Sequence, residues 1–183
     1  MSKPNQMSNL QSSIYKSGRY RPWLWPVRLL NRLTSPIPAG LWLANSFFQK
    51  VLDINNDIPW MVNFTSRVCG NIEIGQNVWV SFAVSGGCYI QGGNGIEIGD
   101  DTIFAPGVKI ISANHSKGDL TRWEPGPPIH IGKRCLIGAN AVILPTVTLG
   151  DDCIVGAGSV VKDNFPNGSI LAGVPAKRIY HIK

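Results

Sequence analysis

Histidine is scarce. His115, His130 and His181 are the only three in 183 residues, so acid–base or metal chemistry through imidazole has few places to occur. They cannot be assembled into a closely spaced histidine centre, and no metal is expected. The four cysteines, Cys69, Cys88, Cys135 and Cys153, show neither a C-x-x-C pair nor zinc-ligand spacing. Acidic side chains are missing from residues 1–52, which carry Lys3, Lys16, Arg19, Arg21, Arg28, Arg32 and Lys50. The remainder has ten basic and eleven acidic residues, so the formal charge of +6 originates in that first segment. Long hydrophobic runs are lacking too. Pro26, Pro36, Pro38 and the charges break every apolar stretch well short of the ~20 residues that span a bilayer, and there is no signal-peptide layout. Without a recognition motif or a base-stacking pattern among the basic residues, nucleic acid is not an expected partner.

A strict period of six is present. From Ile131 to Pro166 six consecutive hexads open on Ile131, Ile137, Ile143, Leu149, Val155 and Val161, and Gly follows in four of them. Their fifth position is small or medium (Cys135, Ala141, Val147, Cys153, Ser159) until Phe165. An α-helix repeats its apolar stripe every 3.6 residues, so this period belongs to short strands joined by corners, with Gly relieving tight turns. The frame extends upstream through Ile98, Phe104 and Ile110, and through Ile74 and Val80. A fixed period of this kind marks a solenoid. Residues 116–130, rich in Gly and Pro, interrupt it as an external loop whose length suggests function.

This pattern resembles the hexapeptide-repeat acyltransferases, over roughly Asn71 to Arg178. The resemblance implies a mainly β fold, a left-handed parallel β-helix with three hexads per triangular coil, an N-terminal helical extension and a protruding loop. The expected organisation is disorder over 1–18 and a basic amphipathic helical extension over 19–56, with helices near 24–34 and 39–52. A β-helix over 57–166 with its loop at 116–130 and a C-terminal segment over 167–183 complete it. The extension either caps the open end of the solenoid or makes peripheral contact with anionic membrane lipid, and the two are compatible. In this fold Cys135 and Cys153, eighteen residues apart, stack one layer apart at ~4.8 Å, too wide for a disulfide. They read as core residues of a cytoplasmic protein in a reducing compartment.

His115 ends the last hexad before the loop, in Ser112-Ala113-Asn114-His115, and is suited to proton transfer near neutral pH. In galactoside, maltose and polysaccharide O-acetyltransferases a histidine at this place removes the acceptor's proton, so Asn114 and His115 are the candidate catalytic pair. His130 alternates with Ile129 and Ile131 and should face outward, towards solvent or a partner. Ile170–Lys177 resembles the segment that ends the β-helix in acetyl-CoA-dependent members. That likeness implies that Ala139 and Ala157 hold the pantetheine arm, that Pro175 belongs to the site, and that Lys162 and Lys177 lie near the nucleotide. Lys162-Asp163 departs from the Thr-Lys frequent in the family.

For the acceptor, the resemblance places Ser85 and Gly93 where the galactoside and maltose enzymes carry a sugar-gripping Asn and acid. That carboxylate is absent here. The Gly92-Gly93-Asn94-Gly95 turn is expected to leave room for a larger glycan, with Asn94, Asp119, Arg122 and Trp123 against it. The implied activity is acetyl transfer from acetyl-CoA to a sugar hydroxyl in surface polysaccharide synthesis, by a homotrimer. N-acetylation of an amino or nucleotide sugar, antibiotic acetylation, and a non-catalytic scaffold stay open as alternatives.

Overall fold

The computed structural model describes residues 36–181. The expected disorder over 1–18 and the expected helix near 24–34 lie outside these residues. The hexads fold as stacked layers whose short strands turn through three faces. Face one collects residues 67–70 of β1 (Arg67–Ile74), 89–91 of β2 (Tyr89–Ile98), β4 (Lys109–Ile111), β9 (Val142–Ile143) and β12 (Val160–Val161). Face two collects 72–74, 96–98, β7 (Ile129–Ile131) and β10 (Thr148–Leu149), and Phe165 bridges to Leu149. On face three lie β3 (Ile103–Phe104), β8 (Leu136–Ile137), β11 (Ile154–Val155) and β13 (Ser169–Gly173). Nearly all the pairing is parallel; the stack ends where β14 (Ala176–His181) turns back antiparallel on β13. This is the left-handed β-helix.

The first and fifth hexad positions fill the interior. Ile131, Ile137, Ile143, Leu149, Val155 and Val161 are buried with Cys135, Ala141, Val147, Cys153 and Ser159. The second position needs Gly for a reason other than turn strain. A Cβ on Gly138 would lie 2.5 Å from the Ala157 nitrogen, and one on Gly132 would lie 2.5 Å from the Gly150 carbonyl carbon. Glycine there admits the next coil's backbone. The left-handed backbone that turns each corner falls instead on the fourth position, at Asn77, Asp101, Arg134, Asn140, Thr146 and Asp152.

The hexad expected at Val80–Ser85 does not form. Trp79–Val84 winds into a short helix, α2, at the open edge of face three. An edge strand there would leave unpaired main-chain groups. The helix satisfies its own and lends side chains to its neighbour. Phe104 N–H donates to Ser81 Oγ (3.2 Å), the Ser85 hydroxyl donates to Phe104 O (2.7 Å), and Phe82 packs edge-on to Phe104.

A second helix, α1 (Ala39–Lys50), lies against α2 with its polarity reversed. Asn45 and Gln49 are buried, whereas Trp42, Leu43 and Phe47 are exposed. Asn45 Nδ2 donates to Ala83 O (2.9 Å), and Gln49 Nε2 to the carbonyls of Asn55, Ile58 and Trp60. These amides anchor the chain over the end of the solenoid. Among the described residues no helix is long and apolar enough to cross a membrane.

The external loop expected at 116–130 protrudes, with strand structure of its own and with different bounds. It begins as β5 (His115–Ser116), which pairs antiparallel with β6 (Asp119–Trp123), and Ile129 and His130 have already rejoined the coil in β7. The protrusion is a hairpin set at the corner between faces one and two.

Candidate functional site

At the corners into and out of face three the second and fourth residues of the stacked hexads point their N–H groups at neighbouring coils. Gly138 N–H donates to Val155 O (2.8 Å), Asn140 N–H to Pro106 O (3.1 Å) and Gly158 N–H to Ala139 O (2.8 Å). The third residue's N–H faces outward. Between faces two and three, three of the four are taken by side chains, Gln76 by Asp100, Lys133 by Asp151 and Asp151 by Asn167, at 2.8 to 3.0 Å, and that of Asp100 has no partner among the described residues. Between faces three and one the third positions in register are Pro106, Ala139 and Ala157. Proline has no N–H to offer. Those of Ala139 and Ala157 have no partner among the described residues, and they stand one layer apart beside methyl-sized side chains. An extended, amide-bearing ligand would find there the donors its carbonyls need.

The same corner receives the end of the chain. Leu171 is in register with Val155, so Gly173 stands in the Ala157 column, and Gly173 pairs with Ala176 across the β13–β14 turn. Pro175 and Lys177 are exposed there. Lys162 is elsewhere. It follows β12 at the corner between faces one and two, exposed, with Nζ 3.2 Å from Asp163 Oδ1. The structure therefore groups Ala139, Ala157, Pro175 and Lys177, and leaves Lys162 out.

His115 opens the hairpin at that other corner. It is exposed, its main chain pairs with Trp123, and its imidazole makes no hydrogen bond among the described residues. Asn114, also exposed, accepts Glu124 N–H on its carbonyl (2.8 Å). Asn94 bears on the root of the hairpin, where Nδ2 donates to Ser112 O (3.1 Å) and Glu124 O (3.0 Å). At the hairpin turn Asp119 Oδ1 accepts the Thr121 hydroxyl (2.6 Å) and N–H (2.9 Å), which holds its carboxyl below the usual range. Arg122 Nε approaches the same carboxylate at 3.6 Å.

Two acceptor expectations are corrected. Ser85 is 3% exposed and spends its hydroxyl on the edge of β3, so it has no face for a ligand. Gly93 does not open a space: the indole of Trp123 lies over it, with Cε3 and Cζ3 2.5 Å from where a Cβ would be. Nothing in the hexad frame signalled this, because it depends on how the hairpin folds back.

A groove of about 460 Å³ runs over face two, lined by Glu73, Glu97 and His130 among others. His130 Nδ1 lies 2.9 Å from Glu97 Oε2, half-exposed as its alternation implied. This groove contains none of the candidate residues above.

Residues 128–162 match the family described as the hexapeptide repeat of succinyl-transferase. A putative acetyltransferase of Staphylococcus aureus (strain Mu50) is 32% identical over 143 residues, covering 76% of this chain and 68% of the relative. The chain belongs to the hexapeptide-repeat acetyltransferases. It spans 58% and 56% of the length of two further curated relatives. Among solved structures, a maltose O-acetyltransferase from Clostridium difficile 630 superposes with a TM-score of 0.54 at 25% identity, over 89% of this chain and 90% of that one. A hexapeptide-repeat acetyltransferase from Vibrio cholerae, solved with acetyl coenzyme A, superposes with a TM-score of 0.54 at 28% identity over 64% of each chain.

In this family setting, the distribution of the candidates over the prism matters. Ala139 and Ala157 stand at one corner and His115 at the next, with face one between them. Six residues per side at ~3.3 Å each put the two corners on the order of 15–20 Å apart, whereas a base must come within ~3 Å of the proton it removes.

Proposed function

We propose that the protein transfers an acetyl group from acetyl-CoA to a hydroxyl of a pyranose in a surface polysaccharide or its precursor. The observation that carries this is the pair of open, stacked N–H groups at Ala139 and Ala157, matched by an unpaired imidazole on a projecting hairpin. The acetyl donor lies along the Ala139–Ala157 corner, with its amide-rich arm on Ala157 N–H, its thioester at Ala139 and Lys177 near its phosphates as a point charge. Neutral His115 takes the acceptor's hydroxyl proton as that oxygen attacks the thioester carbonyl. The electron pair collects on the carbonyl oxygen, which Ala139 N–H stabilises. Collapse breaks the C–S bond, and the imidazolium returns its proton to the departing thiolate.

The spacing of the corners supports a site completed by a second copy: His115 of one chain faces the donor corner of its neighbour in a closed homotrimer. Such an enzyme acts where its donor is made, in the cytoplasm.

His115→Ala should lower transfer by ~10²–10⁴-fold while acetyl-CoA still binds, read by coenzyme A release and by calorimetry respectively. Full turnover in that variant would discard the assignment. An alkali-labile product identifies an ester, and an alkali-stable one would move the proposal to amine acetylation.

A further inference from the structure

We propose that the indole of Trp123, seated on the bare Cα of Gly93, is the floor of the acceptor subsite, which makes Gly93 a specificity-determining position. The inference rests on the acetyl-transfer reading above and names the surface on which the sugar ring is held.

Four observations place the indole. Trp123 is the direct cross-strand partner of His115, and residues opposed in an antiparallel ribbon project from the same side with Cβ atoms about 5 Å apart. Indole and imidazole are therefore neighbours. The benzo side of the ring is spent on Gly93, where a Cβ would meet Cε3 and Cζ3 at 2.5 Å and Ala113 Cβ at 2.9 Å. Yet Trp123 remains 47% exposed, so a broad aromatic surface is left open beside the base. Lastly, the hairpin root is fastened on both sides of Glu124, whose N–H donates to Asn114 O (2.8 Å) and whose carbonyl accepts Asn94 Nδ2 (3.0 Å). Asn94 N–H is in turn held by Ser112 Oγ (2.9 Å). This latch fixes the main chain next to Trp123 over the Gly93 corner.

An indole anchored on its benzo side, with about half its surface open, suits the apolar C–H face of a pyranose and leaves the sugar's hydroxyls at the edge, towards His115. Glycine is required at 93 because even a methyl group overlaps the ring. Any side chain at 93 would expel the indole and change which acceptors fit.

The test uses two probes, oligosaccharides released from a bacterial capsular polysaccharide and methyl β-glucopyranoside. Each is measured as acceptor at saturating acetyl-CoA and, without donor, by saturation-transfer NMR. Trp123→Ala should raise the acceptor KM roughly tenfold, the loss of one good stacking contact, with the acetyl-CoA KM unchanged. Trp123→Phe should retain most of the affinity. Gly93→Ala should reproduce the Trp123→Ala acceptor KM, and in a Trp123→Ala background it should add nothing, because the ring it would displace is gone. An unchanged acceptor KM in Trp123→Ala, or an equal shift in both substrates, overturns the subsite and leaves the transfer reading standing. Sugar binding that depends on Trp123 without any acetyl transfer supports the subsite and removes the transfer reading. Absence of both binding and transfer in the wild-type protein overturns the subsite.

Discussion

If the site is shared between neighbouring chains, two individually dead variants should revive each other. One is His115→Ala, which keeps the donor corner. The other is Ala139→Pro, which deletes the N–H assigned to the oxyanion and keeps the histidine. The structure indicates that proline is tolerated at 139. Pro106 occupies the matching position one coil earlier, and the residue after it, Gly107, is left-handed at +76°, as Asn140 is at +57°. The substitution removes a donor without disturbing the corner. Alone, it should lower kcat by ~10²–10³-fold.

The yield of the mixture follows from counting. A working site needs His115 from one chain and Ala139 from the next, so it requires an Ala139→Pro chain followed by a His115→Ala chain. Random assembly from equal amounts gives that order at about one interface in four, whatever the number of subunits in the ring. Co-expressed variants should therefore show about a quarter of wild-type acetyl transfer per chain, with mixed assemblies verified by native mass spectrometry. Activity no greater than the two parents' sum in verified mixed assemblies would refute the shared site.

Three other outcomes are expected. Gly138→Ala should destabilise by about 1–3 kcal/mol through overlap with the next coil, a drop of roughly 2–12 °C in melting temperature. Gly158→Ala, at φ +68° with open space around it, should cost only the ~1–2 kcal/mol of left-handed backbone, and a clearly larger loss at 158 would contradict the account of the second hexad position. A thiol reagent should find Cys69 alone in the native protein, because Cys88, Cys135 and Cys153 are buried; the Cys135 thiol's hydrogen bond draws Cys153 down to about 7, yet leaves it no access. Asp100 and Asp152 are held below the usual carboxylate range by hydrogen bonds from Lys133 and Arg134 respectively. Their stabilisation is present above pH ~4 and lost as pH falls through the lowered values, so thermal melting should hold steady from pH 8 to 5, fall below 4, and fall less steeply in Arg134→Met.

The β-helix was legible because its interior is periodic: an aliphatic first position and a small fifth position every six residues leave little else to fold into. The role of its glycines was not. A repeat of Gly suggests turns, whereas the left-handed angle belongs to Asn, Asp, Arg and Thr two places on, and only the neighbouring coil reveals why a Cβ is refused. The departures occur where the stack has no neighbour. Val80–Ser85 fits the frame in sequence, but at an open edge a helix satisfies its own main chain and a strand does not. Helix α1 was legible near 39–52, but its orientation was not, because the residues it buries include Asn45 and Gln49 whereas Trp42, Leu43 and Phe47 stay exposed. Of the candidate site, His115, Ala139 and Ala157 came from spacing and resemblance. The covering of Gly93 by Trp123 could not, because a hairpin's fold-back leaves no mark in a period of six.

One corner geometry accounts for both the stiffness of the solenoid and its proposed chemistry. Each turn into or out of face three uses the second and fourth N–H groups to bind neighbouring coils and sends the third outward. Left open, such a group is a donor without a partner, and the chain closes most of them: Asp100, Asp151 and Asn167 cap three, Pro106 removes a fourth, and Asp100 N–H stays open singly. Ala139 and Ala157 are left uncapped in consecutive layers, beside the smallest chiral side chain. That they stay open in register, at the corner where Lys177 also arrives, is the reason for assigning the donor there rather than to the wider groove on face two. In that groove Glu97 and His130 already satisfy one another, and no row of free N–H groups awaits a ligand.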